Sequence, residues 1–249
     1  MPCEFKKYVT IRFYGNLNYF LPVNQRQKEQ SVGFWGTPTV KDLIESLSVP
    51  HVEIFLIVVD GLPVSFSFHP AEGSLVSCYP KFSSIPISGI ALRPDFVLPP
   101  RFVLDVHLGR LAAYLRFCGF DTLYKKSYTD IEILDIAQAE GRVILTRDKG
   151  ILRNGKAIYG YFLRNTNPHL QLSEVVDYFD LTAYFEPFSR CSLCNGEVIR
   201  VEKSKVENEV PRTTYQIYSD FFQCSSCGQI YWEGPHFKRI TDMLSSYTN

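Results

Sequence analysis

The chain has 249 residues, enough for two or three domains, and its 45% hydrophobic and 14% aromatic content can build real cores. Lys plus Arg equals Asp plus Glu at 26 each, and the balance holds separately over residues 1–96, 97–187 and 188–249, so any nucleic-acid partner must be held by a local patch and not by a global field. No stretch approaches the roughly 18 to 20 apolar residues of a membrane span, the start Met-Pro-Cys-Glu-Phe-Lys-Lys lacks a signal peptide's apolar core, and an odd total of seven cysteines argues against a disulfide framework, so a cytoplasmic, reducing location is expected, with no membrane partner.

In chain order, residues 5–13 alternate and read as a strand. Thr39 can cap a helix from about Val40 to Leu47, with Val40, Leu43, Ile44 and Leu47 on one face. Residues 54–59 form an apolar strand, Asp60-Gly61 a hairpin turn, residues 62–66 the return, and residues 74–79 a last strand. This order suggests a β-grasp over residues 1–82. The stretch 83–100, with Pro86, Pro94, Pro99 and Pro100, reads as a linker, because prolines remove backbone donors and favour extended chain.

Residues 101–187 then alternate strand and helix: strands at 102–104, 121–124, 143–146 and 157–163, helices led by Leu108-x-x-Leu111-Ala112, by Thr129 or Asp130, and at 170–179. That alternation predicts a parallel sheet with helices on both faces, a three-layer α/β/α module. Two of its strands run into aspartates, Asp105 and Asp148, and Asp130 opens the intervening helix. Helices of such a fold start where strands have just ended, so all three carboxylates are expected at one edge. Gathered carboxylates repel unless a cation sits among them, and Mg²⁺ or Mn²⁺ takes such oxygen ligands together with substrate phosphate. Metal-dependent phosphodiester hydrolysis is the chemistry this suggests. The plainer reading makes Asp105 and Asp148 helix caps or turn residues. Arg147 and Lys149 bracket Asp148 and could meet phosphate, with Arg110 and Arg116 as further candidates. Lys125, Lys126 and Arg153 are also basic, His107 is read as packing more than as acid or base, Cys118 as core, and Asp121 as structural.

From residue 188 to 249, Cys191-x-x-Cys194 and Cys224-x-x-Cys227 are separated by 29 residues. Two such knuckles supply four thiolates for tetrahedral Zn²⁺, a closed and therefore structural site, with Asn195-Gly196 and Gly228 suited to the turns. Residues 198–201 and 215–218 read as the strands of a hairpin. Tyr231, Trp232, His236, Phe237, Lys238 and Arg239 could stack on RNA or could pack the ribbon onto the preceding module.

Two resemblances sharpen this reading. Val-Lys-Asp-Leu-Ile-Glu-Ser-Leu and Val-Val-Asp-Gly-Leu-Pro-Val resemble the ubiquitin-like sulfur carriers of the ThiS/MoaD type. Those carriers act through a free terminal Gly-Gly, and here the last strand runs on into Tyr79-Pro-Lys-Phe, so an interaction or substrate-guiding module, open to a protein partner, is expected instead. The segments Phe-Val-Leu-Asp105-Val-His-Leu-Gly109, Asp130-Ile-Glu132 and Val-Ile-Leu-Thr146-Arg147-Asp148-Lys149-Gly resemble the Mut-seven C-terminal RNase family, a branch of the PIN-like nucleases with a zinc ribbon. The resemblance implies endonucleolytic cleavage of RNA at Asp105, Asp130 and Asp148 with Mg²⁺ or Mn²⁺, with Glu132 as the candidate fourth acid. The alternative is a non-catalytic RNA- or ribosome-binding adaptor with a structural zinc ribbon.

Overall fold

The computed structural model describes residues 6–82, 92–94, 96–235, 237–238 and 241–242. Most of the expected linker, with Pro86, and also His236 and Arg239 lie outside the described residues. The strands and helices in chain order are β1 (Lys7–Phe13), β2 (Glu29–Phe34), α1 (Val40–Ser46), β3 (Leu56–Val59), β4 (Leu62–Pro63), β5 (Leu75–Tyr79), β6 (Phe102–Leu104), α2 (Gly109–Phe117) and β7 (Thr122–Leu123). They continue with α3 (Asp130–Glu140), β8 (Val143–Thr146), α4 (Lys149–Arg153), β9 (Gly160–Phe162), α5 (Pro168–Phe179), β10 (Val198–Val201), α6 (Arg212–Ile217), β11 (Phe221–Cys224) and β12 (Ile230–Trp232). Among the described residues no helix is long and apolar enough to cross a membrane.

The chain divides into two compact units, and the division does not follow the three sequence segments. One unit joins residues 1–96 to 134–162, and the other joins 97–133 to 163–249.

In the first unit, five strands form a mixed sheet in the order β2-β1-β5-β3-β4. The pairings are antiparallel except for β1 and β5, which run parallel, as a β-grasp requires. Helix α1 starts in a capping box: Thr39 Oγ1 accepts from the Asp42 amide at 3.2 Å while the Asp42 carboxylate accepts from the Thr39 amide at 2.9 Å. The Thr39 hydroxyl, which donates to the same carboxylate at 2.6 Å, and after it the Thr39 amide hold the Asp42 carboxyl below its ordinary pKa. Val40, Leu43 and Ile44 are buried on the face that their spacing predicts. Asp60 and Gly61 both take positive φ, 50° and 85°, the mirror-image turn that matches strand twist, and Asp60 Oδ1 accepts from the Leu75 amide at 2.8 Å. The return strand is shorter than expected: it ends at Pro63, the Val64 amide still donates to the Ile57 carbonyl at 3.0 Å, and the chain turns at residues 66–67.

Strands β8 and β9 belong to the same unit and pair in parallel. Three contacts seat them on the β-grasp. The buried Glu53 carboxylate accepts from the Phe162 amide at 2.6 Å, His51 Nε2 lies 2.9 Å from the Ala157 carbonyl oxygen, and Phe20 meets Phe162 edge to face with ring centroids 5.4 Å apart. A Cβ built on Gly160 would come 2.6 Å from Leu152 Cδ2 and 3.3 Å from Val52 Cγ2, so glycine is what lets β9 lie against the segment His51–Glu53. Gly160→Val is therefore expected to destabilise the protein by about 1–3 kcal/mol through overpacking, measured by urea unfolding. An unchanged unfolding midpoint would mean that this seam is not packed in solution.

In the second unit β6 and β7 also pair in parallel. Phe102, Leu104, Leu111, Leu115 and Phe120 fill its core, and Phe179 from α5 meets Phe102 at 5.7 Å between ring centroids. Gly119, at φ 99°, ends α2, and its missing side chain leaves room for the Glu186 carbonyl oxygen at 2.7 Å from where a Cβ would sit. Cys118 beside it is core, as expected, and burial raises its thiol to about 12. Strands β10, β11 and β12 form an antiparallel sheet in that order. The partner of β10 is thus Phe221–Cys224 and not the expected 215–218. Residues 212–217 are helical instead: Pro211, at φ −55°, leads the chain into α6, and the Tyr215 ring stacks on Phe221.

Candidate active site and cysteine centre

Asp105 follows directly on β6. Its backbone oxygen accepts from the Leu108 amide at 3.0 Å, forming a tight turn, and the residue is only 6% exposed. It does not cap α2: the N-cap is Leu108, which makes no side-chain capping bond. The turn is held from the side, because Tyr124 Oη donates to the Val106 carbonyl at 2.9 Å and its ring fills the space that a side chain at position 109 would need, 2.7 Å from a Cβ built on Gly109. His107, Arg110, Tyr124, Lys126, Thr166 and Gln171 line a concavity of about 440 Å³ beside this turn. Tyr124 was not singled out from sequence, and no local signal marks it, since its role depends on a neighbour 18 residues away.

Asp130 is the first residue of α3 and is exposed. The cap of that helix is Thr129, whose hydroxyl accepts from the Glu132 amide at 3.3 Å. Glu132, expected as a fourth acid, reaches back instead: its carboxylate accepts from the Thr129 amide at 2.7 Å and hydroxyl at 2.9 Å. This second capping box draws the Glu132 carboxyl below its ordinary pKa and turns it toward the helix end, so Glu132 is withdrawn from the candidate ligands. Asp135, one turn further on, pairs with Lys156 at 2.6 Å.

Asp148 is the N-cap of α4. Its Oδ1 accepts from the Gly150 amide at 2.6 Å, its own amide donates to Thr146 Oγ1 at 2.8 Å, and the residue is exposed. The capping role weighed from sequence is thus present at Asp148 and absent at Asp105. Of the basic candidates, Arg110 is exposed, and Arg147 and Lys149 are half-buried. Arg116 is a correction. It is 4% exposed, and its guanidinium donates to the carbonyls of Thr122 at 2.8 Å, Ser192 at 3.2 Å and Leu193 at 2.9 Å. A buried charge has to be satisfied internally, and here the first cysteine knuckle does that. Burial lowers the Arg116 pKa, against the pull of Cys191 and Cys194. The side chain fastens the ribbon to the strand-helix module and offers nothing to RNA.

The second fastening is Asn195. Its Nδ2 donates to Asp121 Oδ1 at 2.8 Å, and its Oδ1 accepts from the Thr122 amide at 2.9 Å, giving Asp121 the structural role that the sequence suggested. Phe237 supplies the third, stacking on Phe188 at 4.2 Å and meeting Phe117 of α2 at 5.5 Å, which decides for packing over RNA stacking at that residue.

The four cysteines of the knuckles place one sulfur each within 4.8 Å of the others. The gaps are 3.6 Å for Cys191 to Cys227 and 3.4 Å for Cys194 to Cys224. Tetrahedral zinc with its sulfurs at about 2.3 Å sets them about 3.8 Å apart, so the group can hold a metal ion such as zinc with little adjustment. Each knuckle closes on a residue of positive φ, Asn195 at 70° and Gly228 at 75°, and Gly196 leaves room for the opposite knuckle, whose Cys224 Sγ would stand 3.0 Å from a Cβ there. Burial works against a Cys191 thiolate. The Tyr231 hydroxyl and the amides of Cys194 and Leu193 outweigh it and hold the pKa at about 7, whereas burial pushes Cys194 up to about 12.

Comparison with known families follows this division of labour. A model of the Mut7-C RNAse domain matches residues 100–244, more than half of the chain. The chain belongs to the Mut7-C RNAse family. A model of the Mut7-C ubiquitin domain matches residues 6–86, so the five-stranded sheet with α1 is the ubiquitin-like domain of this family. No curated protein matches. The Mut7-C RNAse segment gives the chain a nuclease-like function, and it contains the β6 and β8 strand ends as well as the four-cysteine group.

Proposed function

We propose that this protein is a metal-dependent ribonuclease that cuts RNA internally, with Asp105, Asp130 and Asp148 as carboxylate ligands for Mg²⁺ or Mn²⁺ and the four cysteines as ligands for a structural Zn²⁺. The observation that carries the reading is Asp105: a nearly buried carboxylate at a strand end, in a turn braced by Tyr124. Carboxylate oxygens suit hard divalent ions and thiolates suit zinc, so the two donor sets sort the two metals. A bound divalent ion would polarise the phosphodiester and lower the pKa of an attacking water. The chain's own groups orient the strand: Arg110 beside the Asp105 turn, and Arg147 and Lys149 on either side of Asp148, can contact phosphate oxygens without reading sequence. In the reaction a water oxygen bonds to phosphorus, one phosphorus–oxygen bond to the sugar breaks, and the leaving oxygen takes a proton.

Asp148 keeps a second reading in play. Its cap on α4 is the kind of structural duty that an RNA- or ribosome-binding adaptor would also need. A circular single-stranded RNA, which has no ends, separates the two. Incubation with Mg²⁺ or Mn²⁺ is expected to linearise it, omission of both to leave it closed, and a matched DNA circle to be cut more slowly. Zinc content is followed in every arm. A circle that stays closed with either ion would leave the adaptor reading standing.

A further inference from the structure

The ubiquitin-like domain and the α4–β9 stretch, within one compact unit, enclose a concavity of about 680 Å³. Pockets that take small molecules or single nucleotides run from about 300 to 1,000 Å³. Among the described residues, three cationic side chains line it, Arg26 from the loop before β2 and Lys149 and Arg153 from α4, and no carboxylate does. Cations brought into one concavity from two separate segments, with no acid among the described lining residues, suit an anion. Three aromatic residues also line it, Tyr19, 39% exposed, and the buried Phe20 and Phe162, beside the smaller side chains of residues 21, 22, 25 and 46–48. The Arg26 guanidinium lies 6.0 Å from the Tyr19 ring centre, and Lys149 Nζ lies 5.3 Å from that of Phe20. Aromatic faces beside fixed cations are the means by which proteins hold a nucleotide of a single strand, base on ring and phosphate on guanidinium or ammonium.

We propose that this concavity is a binding site for a nucleotide of single-stranded RNA, built jointly by the ubiquitin-like domain and α4. The occupant is a strand and not a free phosphate, because Lys149 directly follows Asp148, so a chain seated on Arg26 and Arg153 continues toward the carboxylate proposed for catalysis. In that respect the inference rests on the ribonuclease reading. It gives the ubiquitin-like domain substrate to hold, in place of a protein to recruit.

The test is binding of a fluorescent short oligouridine by the full-length protein without added Mg²⁺ or Mn²⁺, with the RNA checked for integrity afterwards. Arg26→Glu and Arg153→Glu are each expected to weaken binding about tenfold or more and to reduce the salt dependence by about one ion or more, as loss of a phosphate contact does. Tyr19→Ala is expected to weaken binding without changing the salt slope, because stacking releases no counterions. The exposed Arg212, far along the chain on α6, is the control: Arg212→Glu is expected to bind as wild type does. Oligouridine is expected to bind about a hundredfold tighter than uridine monophosphate, since a strand adds phosphate contacts. Wild-type affinity in both Arg26→Glu and Arg153→Glu overturns the proposal, as does no binding by the wild type or equal affinity for the monophosphate. Because Arg153 is exposed, a folding defect confined to Arg26→Glu would not protect the idea. The ribonuclease reading fails separately: binding that depends on Arg26 in a protein that never cuts leaves the pocket standing, and cutting at unchanged KM in Arg26→Glu leaves only the nuclease.

Discussion

Asp148→Asn is expected to lose RNA cleavage about a hundredfold or more while unfolding at the same denaturant concentration as the parent. The two effects separate because asparagine is as good an N-cap as aspartate. The bond from the Gly150 amide to Oδ1 survives the change, so α4 and the Thr146 contact stay in place. What disappears is the charge. A ligand to a catalytic divalent ion contributes several kcal/mol of transition-state stabilisation, and each 1.36 kcal/mol is tenfold in rate. Asp105→Asn should lose activity to a similar extent, with some stability lost as well, since this residue is nearly buried and makes polar contacts of its own. The readout is the rate of circle opening beside a urea melt. If Asp148→Asn cuts RNA at the parent rate, Asp148 is a cap and nothing more, and the adaptor reading gains.

Cys224→Ser is expected to remove the bound zinc and unfold the ribbon. Structural zinc sites contribute on the order of 10 kcal/mol to small domains that have little else to hold them. Beyond the metal, the ribbon's buried hydrophobic residues among those described form two small groups, one around Cys191, Val198 and Cys224 and one around Val206, Phe221 and Ile230. The loss should also reach the strand-helix module. Arg116 would keep its charge and lose the Ser192 and Leu193 carbonyls, and Asp121 would lose Asn195. Elemental analysis should find one zinc per parent chain and none in the variant, and limited proteolysis should cut the variant between residues 188 and 235. A variant that keeps its proteolytic pattern without zinc would show that hydrophobic packing suffices.

Local chemistry was readable in the sequence wherever it completes itself locally. The run Val143–Thr146 came out as the strand it suggests, Thr39 capped the helix that Val40, Leu43 and Ile44 pattern, and both knuckles closed on the residues chosen for positive φ. Glu132 shows a signal present but passed over: Thr129-x-x-Glu132 is a capping-box spacing, and the acid was read as a metal ligand because the family resemblance implied a fourth acid. Residues 212–217 failed for a different reason, since Thr-Thr-Tyr favours strand and only the preceding proline and the packing of Tyr215 on Phe221 decide for helix. Arg116 was beyond reach, because its three carbonyl partners include two more than 70 residues away. The same holds for Arg26 and Arg153, basic residues from segments with no sequence relation that come to share one cavity.

The bond from the Phe162 amide to Glu53 bears on how this protein can be handled and how it arose. One side of β9 is satisfied by β8, and the amide of Phe162 finds its acceptor on a side chain of the other domain, within a seam that Gly160 keeps thin. Cutting the chain near residue 86, where the ubiquitin match ends, would leave that strand with an orphaned donor and a sticky flank, an invitation to pair with a second molecule. The ubiquitin-like domain and residues 134–162, which sequence comparison assigns to different domains, therefore behave as parts of one solid, and neither could be traded for a foreign counterpart without bringing its half of the seam along.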